Sequence, residues 1–218
     1  MQIGLIFDWD GVIINSADAH KAAWENLAEQ ENLYLPKDHF ERTFGKRNAE
    51  IIPNILNWSS DSDRIEFLSE QKELLYRKNL ELGMARILPG VNEFLQQAND
   101  QNIPCAVGSS TSRENILAGM DLGNLHKLFA SIVSAEDVSE GKPNPEVFLK
   151  AANSLNIQPS RCTVFEDSPF GVEAAKSAGM VAVGVFSTSH GNKSLKDADR
   201  MVHQLNEISL HELKSFFT

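Results

Sequence analysis

Ile3-Gly4-Leu5-Ile6-Phe7-Asp8-Trp9-Asp10-Gly11 is the stretch whose reading decides the fold. The apolar run Ile3–Phe7 suits a strand buried on both faces of a parallel sheet. Asp8 and Asp10 follow it directly, at the carboxyl end where open α/β sheets place their ligands. Alone, an Asp-x-Asp pair also suits a polar loop closing a strand. Four further apolar runs read as strands: Ile103–Val107, Ser131–Ser134, Thr163–Phe165 and Val181–Val185. Helical patterns separate them. Val91–Asn99 is amphipathic, and Thr111-Ser112-Arg113-Glu114 has capping-box spacing. Pro145–Ser154 opens on a proline, and a helix from Ser168-Pro169 closes at Gly179. Met201–Gln204 and Ile208–Phe217 read as an edge strand and a closing helix. Strand and helix in alternation predict a doubly wound parallel sheet.

One interval breaks the alternation. From Ser16 to Leu88 there is no buried-strand pattern, only helical ones: Ala17–Gln30, Asp38–Thr43, Ala49–Leu56 and Arg64–Leu82. That is too much chain for a crossover. The expectation is a helical domain over residues 16–83, inserted into an α/β core of residues 1–15 and 84–218. Hinges are expected near Asn15-Ser16 and Gly83–Leu88.

The 218 residues carry a formal net charge of −10 and are 42% hydrophobic. That acidity argues against nucleic acid or an anionic membrane as partner. Asp8 and Asp10 interrupt the N-terminal apolar run, so no secretory signal is legible, and no stretch reaches transmembrane length. Cys105 and Cys162 fall in apolar runs, as buried free thiols of a reducing compartment do. A cytoplasmic, monomeric protein is the expectation.

Three more strand ends carry polar signals. Gly108-Ser109-Ser110-Thr111 offers hydroxyls and backbone N–H groups at a helix start, which suits an anionic oxygen. Gly141-Lys142-Pro143-Asn144-Pro145 follows the third strand, and Glu166-Asp167-Ser168-Pro169 the fourth. Each alone suits helix capping, a solvated lysine or dipole compensation. Together they open on one edge of a parallel sheet and bring Asp8, Asp10, Glu166 and Asp167 into one crevice. Two carboxylates about 4 Å apart repel by about 4 kcal/mol at an effective dielectric near 20. Lys142 supplies one positive charge. A hard divalent cation with oxygen ligands supplies the rest, and Mg²⁺ fits that donor set.

These four motifs, in this order, resemble those of the haloacid-dehalogenase superfamily. The inserted helical segment resembles the cap of its β-phosphoglucomutases and small-metabolite phosphatases. His20-Lys21-Ala22-Ala23-Trp24 and Phe44-Gly45-Lys46-Arg47-Asn48 are similar to that cap's substrate-facing segments. The resemblance implies a phosphatase of a small phosphorylated metabolite, such as a sugar phosphate. It implies Asp8 as a nucleophile forming an aspartyl-phosphate, and Asp10 as general acid and then base. It implies Mg²⁺ on Asp8, the main-chain carbonyl of Asp10, and Asp167, with Glu166 ligating or just behind. Ser109, Ser110 and nearby N–H groups are implied to bind phosphoryl oxygens, and Lys142 to neutralise Asp8. The second acid, Asp10, favours phosphoryl transfer over carbon–halogen chemistry.

The cap residues keep two readings. His20 suits a packed helix face and a cleft equally. Trp24 reads first as core, and Lys46 and Arg47 as a solvated loop. Lys78 is a weaker cleft candidate. One departure stands out: where β-phosphoglucomutases carry an Arg for the distal phosphate, this chain has Asn48, with Arg47 one position earlier. That favours hydrolysis. A hexose-phosphate mutase is the alternative.

Overall fold

The computed structural model describes residues 2–43, 45–186 and 195–218. Phe44 of the cap loop lies outside the described residues. Six parallel strands form the central sheet: β1 (Gly4–Phe7), β4 (Cys105–Gly108), β5 (Ser131–Val133), β6 (Cys162–Glu166), β7 (Val181–Val185) and β8 (Arg200–Val202). Their spatial order is β5-β4-β1-β6-β7-β8. The order reverses at β1, so β1 and β6 flank the topological switch point.

Alternation along these strands builds a core on each face of the sheet. Leu5, Phe7, Val107, Phe165 and Val183 face one way, with α5 (Val91–Asp100), α6 (Arg113–Gly123) and α9 (Leu210–Ser215) packed over them. Ile6, Ala106, Val164 and Ala182 face the other, under α7 (Glu146–Ser154) and α8 (Pro169–Ser177). Phe7 stacks on Phe165, with ring centroids 4.7 Å apart and planes 4° apart. That stack reflects the register. Phe7 pairs with both Val107 and Phe165, so the next residues, Asp8, Gly108 and Glu166, end their strands level with one another.

The insertion is helical: α1 (Ala17–Gln30), α2 (His39–Thr43), α3 (Asn48–Glu50), a π-helical turn over Ile51–Ile55, and α4 (Ser62–Glu81). Trp24, Leu27, Ile51, Ile52, Leu56 and Leu68 give it a small core of its own. Its two connections pair as a short antiparallel ribbon, β2 (Ile14–Asn15) with β3 (Arg86–Ile87). The sequence pattern showed no strand there, because two residues carry no periodicity.

The capping-box reading at Thr111 is not met. α6 is capped at Ser112, with no side-chain cap bond. The Thr111 hydroxyl donates instead to Asp10 Oδ2. A local cap was outweighed by a long-range charge-assisted bond.

α6 packs unusually close to the Asp-x-Asp loop. A Cβ on Gly119 would stand 2.7 Å from Trp9 Cζ2, a rigid ring atom that cannot swing away. Gly119→Ala is expected to destabilise the protein by about 1–3 kcal/mol through overpacking, read from the urea midpoint. An unchanged midpoint would contradict the close packing of α6 on Trp9.

Candidate active site

The strand ends assemble the site through register. Asp8, Glu166 and Asp167 each place a carboxylate oxygen within 4.8 Å of the others, and all three are buried. Two glycines make this convergence possible. Gly11 has φ +78°, and a Cβ there would fall 2.0 Å from Asp167 Oδ2. A Cβ on Gly171, at the start of α8, would fall 1.9 Å from Glu166 Cδ. Any side chain at either position would occupy the space of a carboxylate.

Lys142 is the cation of this cluster. Its Nζ lies 2.9 Å from Asp8 Oδ1 and 2.5 Å from Glu166 Oε1. The other oxygen of Glu166 accepts the backbone N–H of Ser168 at 2.7 Å. Glu166 is therefore satisfied by protein groups, while Asp8 and Asp167 face the crevice. One ammonium among three buried carboxylates is too little. Burial, with Glu166 and Asp10 nearby, pushes Asp8 up to about 7 against the pull of Lys142. The two carboxylates beside Lys142 raise its own pKa despite burial, so it stays charged. This all-oxygen, anion-excess cluster fits a hard cation such as Mg²⁺.

Asp10 stands apart from the cluster with its side chain toward the cap. Oδ1 accepts from the Ser16 hydroxyl and faces His20 Nε2 at 3.2 Å; Oδ2 accepts from Thr111. Burial opposes ionisation of Asp10. His20 and the two hydroxyls overcome it and hold the carboxyl at about 2. Lys72 Nζ lies 2.9 Å from His20 Nδ1. An ammonium only donates, so Nδ1 accepts and the ring's Nε2–H is given to Asp10. The imidazole is also clamped flat on Tyr76, with ring centroids 4.0 Å apart.

Asp8, Asp10, His20, Lys72, Thr111, Lys142, Glu166 and Asp167 border one cavity of about 590 Å³ between sheet edge and helices. Of the residues singled out in the sequence it brings together Asp8, Asp10, Lys142, Glu166, Asp167, Ser109, Ser110, His20, Trp24, Gly45, Lys46, Arg47 and Asn48. Trp24 also belongs to the core of the insertion, so both its readings hold. Ser109 is buried, and its hydroxyl accepts the backbone N–H of Thr111 at 3.2 Å. Lys78 is exposed and does not line the cavity.

The loop cations are occupied. Arg47 reaches from the insertion to the core and donates to the carbonyls of Ala135 and Ser139, both at 3.2 Å. Lys46 pairs with Glu50 at 2.8 Å and lies 4.8 Å from the centre of the exposed Phe170 ring. Asn48 donates to Glu73 Oε1 at 2.6 Å.

Sequence reasoning missed Lys72, Glu73, Arg77 and Asn115, and it read Thr111 as an anion-binding hydroxyl and Ser16 as a hinge, where both hydroxyls donate to Asp10. One signal was available. Leu68, Lys72, Tyr76, Asn79 and Leu80 fall on one face of α4 and are all buried. A lysine inside an apolar stripe is not a solvated lysine.

A family model described as haloacid dehalogenase-like hydrolase matches residues 5–185. This chain belongs to that family. It is a hydrolase of that family, an α/β sheet with an inserted helical cap. A chloroplast 5-amino-6-(5-phospho-D-ribitylamino)uracil phosphatase of Arabidopsis thaliana is 35% identical over 97% of this chain, which spans only 57% of that longer protein. A beta-phosphoglucomutase of Bacillus subtilis is 34% identical over 96% of this chain and 92% of its own. Among solved structures, a beta-phosphoglucomutase from Clostridium difficile superposes with TM-score 0.86 at 28% identity, covering 100% of this chain and 97% of that one.

The raised pKa of Asp8 makes a stability prediction. A carboxyl whose folded pKa lies above its unfolded value binds extra protons in the fold, so its contribution is lost as pH rises from about 4 through about 7. In chelator, Asp8→Asn should therefore raise Tm at pH 8 by about 2–4 °C or more. The gain should vanish below about pH 3, where Asp8 is protonated in both states. A Tm gain independent of pH would contradict the buried-charge account.

Proposed function

We propose that this enzyme is a Mg²⁺-dependent phosphatase that hydrolyses a small phosphorylated metabolite through an aspartyl-phosphate on Asp8. The observation that carries this reading is the division of labour between the two acids. Asp8 lies with Lys142 and the other carboxylates, while Asp10 is two residues away in a separate hydrogen-bond network facing the cavity.

In the proposed mechanism Asp8, Asp167 and the main-chain carbonyl of Asp10 hold Mg²⁺, with Glu166 behind. The ion supplies charge neutralisation at the phosphoryl oxygens. Lys142 adds a fixed positive charge beside the nucleophile. Ser109, Ser110 and the start of α6 bind phosphoryl oxygens. Phosphoryl transfer needs chiefly positioning and charge stabilisation, and this site supplies both. Asp10 is ionised in the resting site, the state required to take a proton from an attacking water. For the first half-reaction Asp10 must enter protonated, the proton coming from solvent, and give it to the leaving oxygen; the Ser16, His20 and Thr111 donors orient its carboxyl.

Two relatives differ in printed activity, one a phosphatase and one a mutase, and the cap loop favours the former. A mutase must hold two phosphates. Here Asn48 is bound to Glu73, Arg47 to two core carbonyls and Lys46 to Glu50. A neutral amide makes no charge-assisted bidentate contact with phosphate. We place the cap at residues 16–83 and the core at 1–15 and 84–218, with the β2–β3 ribbon and its flanks as hinge. We take the enzyme as a cytoplasmic monomer. Both cysteines are buried and unpaired, and no helix among the described residues is long and apolar enough to cross a membrane.

Phosphate release from a panel of phosphorylated metabolites tests the reading. Turnover should require Mg²⁺ and disappear in excess chelator. With β-glucose 1-phosphate and a trace of its 1,6-bisphosphate, inorganic phosphate should outpace glucose 6-phosphate. Turnover in chelator would overturn the metal assignment, and faster isomerisation would install the mutase.

A further inference from the structure

On the side away from Asp8 the cavity is lined by α4, the Gly45–Asn48 loop and the start of α6. Glu73 is the hub of this wall. Its Oε1 accepts from Lys72 at 3.0 Å and from Asn48 at 2.6 Å, and its Oε2 accepts from Asn115. Asn115 is fully buried, and its own carbonyl accepts from Arg77 at 3.0 Å. Arg77 in turn lies 3.2 Å from Glu114.

Four cap cations line the cavity, and each already meets an acid or carbonyls. Lys46 faces Glu50, Arg47 two backbone oxygens, Lys72 Glu73, and Arg77 Glu114. Among the described residues, a second phosphate entering here would have to break one of these pairs and approach an ionised carboxylate. Attraction to Lys72 and the amide bonds outweighs burial and keeps Glu73 ionised. Its oxygens accept and never donate. A hydroxyl or an ammonium on a ligand can donate to them in place of an Asn amide; a carboxylate or phosphate oxygen cannot.

We propose that Glu73 is a specificity-determining residue, and that the wall built on it restricts the enzyme to phosphomonoesters whose carbon skeleton bears hydroxyl or amino groups and no second anion. The inference rests on the phosphatase reading and deepens it. Its selectivity comes from a repulsive element as much as from attraction. Glu73 touches the skeleton's polar groups, not the reacting atoms, so its effect falls on which ligand binds.

Binding separates this from turnover. Calorimetry on the Asp8→Asn variant with Mg²⁺ would compare four ligands built on one six-carbon chain. These are glucose 6-phosphate, glucosamine 6-phosphate, 6-phosphogluconate and glucose 1,6-bisphosphate. Glucosamine 6-phosphate should bind at least as tightly as glucose 6-phosphate. The two with a second anion should bind about tenfold more weakly or worse. Adding Glu73→Gln, nearly the same shape without the charge, should shrink that penalty about tenfold. Adding Asn48→Arg instead should raise affinity for the bisphosphate, a gain that misfolding cannot mimic. Equal affinity for all four ligands would overturn the inference. So would an unchanged penalty in the Glu73→Gln protein, or failure of both the neutral and the amino ligand to bind. Phosphate release without charge preference removes this inference and leaves the phosphatase reading. Charge preference without phosphate release in the unmodified enzyme does the reverse.

Discussion

Three buried carboxylates and one ammonium stand together at the carboxyl edge of the sheet, and the rest of the site is arranged around that imbalance. Lys142 bridges Asp8 and Glu166, and Glu166 also takes the Ser168 N–H, so one of the three is settled by protein groups alone. Three carboxylates beside this one ammonium leave the cluster with a negative excess. The fold sustains it because strand register fixes where the acids end, and because Gly11 and Gly171 leave room for them. Such a cluster is costly when empty and stabilising once a hard cation enters. Burial raises the pKa of Asp8, and the neighbouring carboxylates add to it.

The second constraint links cap and core through polar contacts. Asp10 meets His20, His20 meets Lys72, Lys72 meets Glu73, and Glu73 meets Asn48 of the cap loop and Asn115 of the core. Arg47 and Arg77 add further bonds from cap to core. Cap position and the state of Asp10 are thereby coupled. His20, carried on cap helix α1, helps hold the pKa of Asp10 below its ordinary value against the effect of burial. The cap's own core is small, but Ala19, Ala23, Tyr76 and Leu80 of α1 and α4 pack into the main core, and this network and the short β2–β3 ribbon add to that packing.

Much of this was legible in the sequence, for reasons that differ by element. The strands were readable because their residues are buried on both faces and so form continuous apolar runs, as in Ile3–Phe7 and Val181–Val185. Asp8, Asp10, Lys142, Glu166 and Asp167 were readable because acids and a lysine at strand ends have no structural excuse when four such ends share one edge. The cap network was not. Lys72 and Glu73 sit in a highly charged helix, where exposure is the ordinary expectation, and their burial depends on what α1 and α6 bring to them. Thr111 misled for a related reason. Its spacing to Glu114 suits a local cap, and only the fold reveals Asp10 within reach. Asn48 was noticed for what it lacks. That it instead joins a carboxylate hub could only come from three dimensions.

The central claim is that Asp8, and not its neighbour Asp10, carries the phosphoryl group. The most direct measurement is reduction of the enzyme with borohydride during steady-state turnover, which converts an aspartyl-phosphate to homoserine, followed by peptide mass spectrometry. The account predicts homoserine at position 8, dependent on substrate and on Mg²⁺, and none at position 10. Homoserine at position 10, or unmodified Asp8 in an enzyme that is releasing phosphate, would contradict it.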